Sequence, residues 1–237
     1  GTAFKPLSPY TSRVLELNGT DGYLALPDQP RFALAESWSI DAWVKVDSRA
    51  SSAAFSKDKM IILQREIDTD LNGSYDTLNY EIVNYEIGLE KKTAGWTPYV
   101  SYKNAAGLTV TKLAATVVAA DTWVHIGGIY DHENNYLSIV VNNGSKLSIS
   151  AAGAANDGGV VGKSRVRVGV DFYGRIDSLR IWNIAKDDYS DYLDPTRNVS
   201  YDVPRIAAGM VAHYIFDDDG QTVQDFALIN LHYARYF

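Results

Sequence analysis

The sequence has 237 residues, 46% of them hydrophobic and 22% charged, with a formal net charge of −7 and no cysteine. That is enough chain for one sizeable core, and it excludes disulfides, thiolate metal sites and cysteine nucleophiles. No run of Lys or Arg offers a footprint for nucleic acid, and no apolar run approaches the ~20 residues of a membrane-spanning helix, so neither nucleic-acid binding nor membrane insertion is expected.

In chain order the pattern is one of short strands. Residues 1–12 read as loop, with Pro6 and Pro9. Residues 12–17 (SRVLEL) alternate as a strand, and Asn18-Gly19 and Asp21-Gly22 mark tight turns before a short strand at 23–26. Residues 38–46 (WSIDAWVKV) alternate strongly, with Trp38, Ile40, Ala42, Val44 and Val46 on one face and Asp41, Trp43 and Lys45 on the other. Strands are expected next at 60–67, 79–90, 95–103, 108–118 and 122–130. Asn142-Asn143-Gly144 sets a hairpin between 136–141 and 146–150. Strands follow at 165–170, 174–182 and 210–216, and residues 183–192 are the place for a helical turn or two. A dozen strands with turns between them and no βα alternation argue for an all-β fold, a two-sheet antiparallel β-sandwich or jelly roll.

The stretch 174–182 (GRIDSLRIW) is entered through a glycine. Strict alternation puts Asp177, Leu179 and Ile181 on one face, and Ile176, Ser178, Arg180 and Trp182 on the other. A carboxylate facing a core needs a hydrogen-bond partner, a counter-charge or a metal.

Several stretches resemble one family. WSIDAWVKV at 38–46 is similar to an early strand of laminin G-like domains of the concanavalin A-like jelly-roll superfamily. DTWVHI at 121–126, YLSIVVNNG at 136–144 and GRIDSLRIWN at 174–183 resemble its later strands in the same order, and residues 15–23 resemble its opening strand. The resemblance covers roughly residues 12–190 and implies a secreted or cell-surface module, often holding calcium and binding glycans or proteins. Residues 213–225 (HYIFDDDGQTVQD) are similar to a segment that usually precedes such a domain. The expected division is therefore a laminin G-like domain over 1–205, and a strand segment at 206–237 that packs on it or starts a following module. The chain starts Gly1-Thr2-Ala3 with no Met and no signal-peptide pattern, as a processed or excised piece of a larger multidomain protein would.

The sharpest chemical motif is D-x-D-x-N-G-x-x-D at 68–76. Calcium takes six to eight hard oxygens from a tightly turning loop, which Asp68, Asp70, Asn72, Ser74 and Asp76 with Gly73 are spaced to supply. The bland alternative is a solvated acidic turn. A rival reading uses the strand before it: REIDTD at 65–70 resembles the catalytic strand of family 16 glycoside hydrolases, which implies Glu66, Asp68 and Asp70 as carboxylates on one face. The third acid is Asp rather than Glu and a glycine loop follows at once, so a non-enzyme is expected. Asp177 with Asp21 makes a second, weaker metal candidate, since in related jelly rolls the closing-strand Asp often holds an ion. Sugars are held by aromatic ring faces, and the candidates are Trp96, Tyr99 and Tyr102 on one segment, and Phe172 and Tyr173 before the closing strand; each is equally a packing residue. The remaining Trp38, Trp123 and Trp182 read as packing. None of the four histidines has a paired metal spacing. The sequence thus predicts an extracellular, calcium-containing, non-catalytic module that binds a glycan or a cell-surface protein, with a hydrolase or a structural adhesion spacer as alternatives.

Overall fold

The computed structural model describes residues 3–5, 14–26, 29–68, 82–104, 106–151, 164–190, 209–216, 222–225 and 233–236. Its strands are β1 (Ala3–Lys5), β2 (Val14–Asn18), β3 (Leu24–Leu26), β4 (Trp38–Val46), β5 (Lys59–Ile67), β6 (Ile82–Lys92), β7 (Gly95–Lys103), β8 (Thr109–Leu113), β9 (Trp123–Asp131), β10 (Tyr136–Val141), β11 (Leu147–Ser150), β12 (Ser164–Val168), β13 (Tyr173–Trp182), β14 (Met210–Tyr214), β15 (Thr222–Gln224) and β16 (Tyr233–Tyr236). Short 3-10 turns lie at Pro30–Phe32 and Ser48–Ser51. Residues 183–190, where a helical turn was expected, hold no α-helix.

The strands form two antiparallel sheets. The first runs β1-β2-β13-β4-β9-β10-β11, with β14 also on β13; the second runs β15-β16-β3-β12-β5-β6-β7-β8. This is the expected two-sheet sandwich. Alternation dictates what lies between the sheets. Ile40, Ala42, Val44 and Val46 of β4 face Ile87, Leu89, Val166 and Val168 of the second sheet within one core cluster. Four aromatics join the sheets near its middle: Trp38 lies 5.5 Å from Tyr85 and 5.9 Å from Tyr130, and Tyr102 lies 4.5 Å from Tyr130.

Strand β13 departs from simple alternation. Asp177 pairs with Trp43 but Arg180 pairs with Asp41, so three steps on β13 match two on β4. The extra residue is Ser178, at φ 51°, and the irregularity is a β-bulge. Beyond it the phase is inverted. Ile176, Leu179 and Ile181 face the core, while Asp177, Arg180 and Trp182 share the outer face with Asp41 and Trp43. The expectation that Asp177 sits in line with Leu179 and Ile181 is therefore corrected. The bulge also marks a change of neighbour: one edge of β13 is paired by β2 from Tyr173 to Ile176 and by β14 from Leu179 to Trp182.

The outer face of the first sheet is partly roofed. Tyr189 packs 5.0 Å from the His125 ring and joins Ile129, Val140 and Ala185 in a small apolar cluster. Gly127 permits this, because a Cβ there would stand 2.3 Å from the Tyr189 ring. Beside Tyr189, Asp41 accepts from Arg180 Nε at 2.8 Å and Trp182 Nε1 at 2.9 Å, and His125 Nε2 lies 3.1 Å from it. Burial pushes the Asp41 carboxyl up, but the Arg180 charge and the bonds from His125 and Trp182 outweigh that and hold it below the usual carboxylate range.

Candidate functional site

At the end of β13 nearest its start, the outer face of the first sheet opens into a cleft of about 480 Å³. Register builds it. Arg175 of β13 stands opposite Glu16 of β2 on one side and Lys45 of β4 on the other. Their neighbours Leu15, Ile176 and Val44 belong to the core, so alternation turns Glu16, Arg175 and Lys45 outward as a row. Just past β4, Asp47 donates its backbone N–H to Tyr173 O at 3.0 Å. Gly174, at φ 148°, lets the two strands close up, since a Cβ there would meet Lys45 O at 2.1 Å. The third wall is the turn before β9, where Asp121 donates its backbone N–H to Val46 O at 2.7 Å.

The lining is balanced in charge: Glu16, Asp47 and Asp121 face Lys45, Arg49 and Arg175. Part of that charge is spent internally. Asp47 caps the 3-10 turn by accepting from the Arg49 backbone N–H at 2.8 Å. It also receives Arg49 Nε at 2.8 Å and Nη2 at 2.6 Å, bonds that hold its carboxyl below the usual range. Arg175 Nη2 reaches Glu16 Oε1 at 3.4 Å. Lys45 and Asp121 make no side-chain hydrogen bond or ion pair among the described residues. They are the cleft's unspent donor and acceptor. Tyr173 adds an apolar wall, with its ring 5.7 Å from Phe55 and 4.9 Å from the Arg49 guanidinium.

Of the aromatic candidates, only Tyr173 lines this cleft. Trp96 and Tyr102 point into the core, where Trp96 Nε1 donates to Ala50 O at 3.3 Å. Tyr99 lies on the other face of β7 but is also buried; its hydroxyl donates to Glu86 Oε1 at 2.6 Å, and Lys59 sits 4.6 Å from its ring centroid. Phe172 is fully buried. These four offer no ring face to a ligand, because even alternation decides which aromatics turn inward but not which outward ones are covered.

The acidic candidates are also placed. Glu66 is buried on the outer face of the second sheet. Its oxygens accept from Gln64 Nε2 at 2.9 Å, Arg167 Nε and Nη2 at 3.0 and 2.6 Å, and Arg165 Nε. A carboxylate so occupied has no lone pair left to attack a sugar or a water. Asp68 is buried at the end of β5; Asp70, Asn72, Ser74 and Asp76 lie outside the described residues. The Asp177 and Asp21 pairing is not realised. Asp177 is buried beside Ser178, whose hydroxyl donates to it at 3.3 Å. Asp21 lies in the turn beyond Asn18, and Asn18 pairs with Tyr173, four residues up the strand from Asp177, a gap of about 13 Å. Asp21 instead accepts from Asn18 Nδ2 at 2.7 Å, a bond that pulls its carboxyl down to about 2. Among the described residues no three His, Cys, Asp or Glu side chains gather as a metal cluster.

A family model described as the concanavalin A-like lectin/glucanases superfamily, of laminin G type, matches residues 18–188, well over half of the chain. The chain belongs to that superfamily. Solved structures repeat its lectin/glucanase jelly roll at low identity. A candidate carbohydrate-binding protein from Bacteroides ovatus matches with a TM-score of 0.58 and 14% identity over 92% of this chain, which spans 56% of that protein. The enzymatically active domain of tailspike protein 2 from bacteriophage CBA120 matches with a TM-score of 0.53 and 11% identity over 93% of this chain and 32% of that one. Domain 4 of AbnA, an extracellular GH43 arabinanase of Geobacillus stearothermophilus solved with arabinotriose, matches with a TM-score of 0.50 and 18% identity over 78% of this chain and 76% of that one. At these identities the likeness is one of fold. No curated protein matches the sequence. Among the described residues no helix is long and apolar enough to cross a membrane.

The superfamily sandwich carries the cleft on residues that sequence reading passed over: Glu16, Lys45, Asp47, Arg49, Asp121 and Arg175. The outward phase of Lys45 was legible from the alternation of 38–46. Its meeting with residue 16 and residue 175 was not, because register across strands far apart in sequence has no local signal.

Proposed function

We propose that this chain is a non-catalytic carbohydrate-binding module of a larger secreted or cell-surface protein, and that the cleft between β2, β13 and β4 holds a neutral, hydroxyl-rich glycan. The observation that carries this is the lining. Three acidic and three basic side chains cancel, so the cleft does not favour an ion. Alternating donors and acceptors beside a tyrosine ring suit the hydroxyls and C–H faces of a sugar. The superfamily and the carbohydrate-related neighbours support the reading, and the saturation of Glu66 weighs against a hydrolase built on it. The test is a glycan array followed by calorimetry. Lys45→Ala and Asp121→Ala should each weaken the neutral glycan selected on the array about tenfold or more, the worth of a hydrogen bond to a charged group, while the melting temperature stays put. An array that is blank, or a hit indifferent to both changes, overturns the assignment.

The same reading includes calcium at Asp68, Asp70, Asn72, Ser74 and Asp76. Its support is the donor set, all hard oxygens at calcium-loop spacing around Gly73. When bound, the ion would supply a structural crosslink of that loop. Calorimetric titration with calcium should show a single exothermic or endothermic site that Asp70→Ala removes. No heat and no change in thermal stability on adding calcium would dismiss it.

A further inference from the structure

The chain has five tryptophans. Trp38, Trp43, Trp96 and Trp182 are buried; Trp123, at the start of β9, is partly exposed. It belongs to none of the hydrophobic clusters, and among the described residues its side chain makes no ring contact and no hydrogen bond. An isolated surface tryptophan would need no explanation by itself. Its address is what matters. Trp123 is the direct partner of Lys45 across the β4–β9 ladder, so its side chain turns to the same outer face, next to the cleft's unspent cation. Its neighbour Val124 points into the core, which confirms the outward phase. Asp121, two residues earlier, is already a wall of the cleft.

The row Glu16, Arg175, Lys45, Trp123 therefore crosses four adjacent strands. At about 4.8 Å per strand it spans about 14 Å, with charged hydrogen-bonding groups at one end and a partly exposed indole at the other. Resting on the cleft reading above, we infer that the ligand is an oligosaccharide of several sugar units that runs across the strands, with one unit in the cleft and a later unit stacked on the exposed face of Trp123. An indole presents a large, rigid apolar surface at little cost in side-chain entropy, and the C–H face of a pyranose or furanose ring is its natural counterpart. A single sugar filling the cleft would leave that surface unused.

The test uses the whole chain and ladders of arabino-, xylo- and cello-oligosaccharides from monosaccharide to hexasaccharide, read by calorimetry and by tryptophan emission. In one ladder, affinity should climb from the monosaccharide to the trisaccharide or tetrasaccharide and then level off. Trp123→Ala should remove that climb, lowering trisaccharide affinity about tenfold and leaving monosaccharide binding unchanged. Trp123→Phe should keep part of it. Trp123 is the solvent-facing indole, so the binding-induced blue shift and the loss of acrylamide quenching should vanish in Trp123→Phe. Lys45→Ala should weaken every length alike. If the wild type binds a monosaccharide as well as a hexasaccharide, or if Trp123→Ala keeps the length dependence, this inference is overturned while the cleft reading stands. If no member of any ladder binds, the cleft reading fails and takes this inference with it.

Discussion

Asp41→Ala is expected to lower the unfolding free energy by about 3–5 kcal/mol, the usual consequence of removing one member of a buried ion pair. Asp41 is fully buried and Arg180 nearly so, with 1% of its surface exposed. The carboxylate is the acceptor for the Arg180 Nε and Trp182 Nε1 hydrogens, and it stands against His125. Truncation would take from a buried guanidinium the carboxylate that accepts its Nε hydrogen. Asp41→Asn keeps the shape and a carbonyl acceptor but no charge, so it should fall between. Urea unfolding followed by tryptophan emission measures both. A loss in Asp41→Ala no larger than that of an ordinary surface substitution, below about 0.5 kcal/mol, would show that Arg180 finds its counter-charge elsewhere.

Acid should weaken the fold well before the carboxylates titrate. His213 is buried beside Arg180, and burial first, then the Arg180 charge, push its imidazole down to about 3, against an ordinary value of 6.5. Asp41 opposes this only in part. Above pH 6.5 the ring is neutral in both states and pH has no leverage. Below it the unfolded chain takes a proton that the folded chain refuses until about pH 3, so stability falls as pH falls. From pH 7.5 to 4.5 the expected loss is about 2–3 kcal/mol for this one group. His213→Gln should flatten that slope whatever it does to stability at neutral pH. An equal slope in wild type and variant would assign the effect to other groups.

Much of the fold was legible in the sequence, and the reason is local. Strands 38–46, 95–103 and 136–141 have the bounds that alternation gives, because each has one apolar face and one polar or roofed face. The closing strand was located and its faces from Leu179 to Trp182 are those that alternation gives, but Ile176 and Asp177, before the bulge, lie on the opposite faces to those expected. A β-bulge at a serine has no glycine to announce it, and one extra residue turns every later side chain over. The aromatic candidates failed for a related reason. Trp96 and Tyr102 sit at inward positions of β7, and composition does not tell an inward ring from an outward one. The cleft was least legible. It is made where residues 16, 45, 121 and 175 converge, and only the paired sheet brings them together. Trp123 shows the limit most plainly, since a strand-opening tryptophan reads as core until its neighbours are known.

The divided edge of β13 bears on where such a module can safely be cut. The family match ends at residue 188, yet the half of β13 from Leu179 to Trp182 has its second neighbour in β14, beyond that limit. A chain trimmed at the match would keep β2 on the first half and lose β14 from the second, where β4 alone would remain. The edge from Leu179 to Trp182 would then present open N–H and C=O groups to solvent, next to the buried Asp41. Such an edge invites a second molecule to add its own strand, so a trimmed chain would be prone to self-association even with its cleft intact.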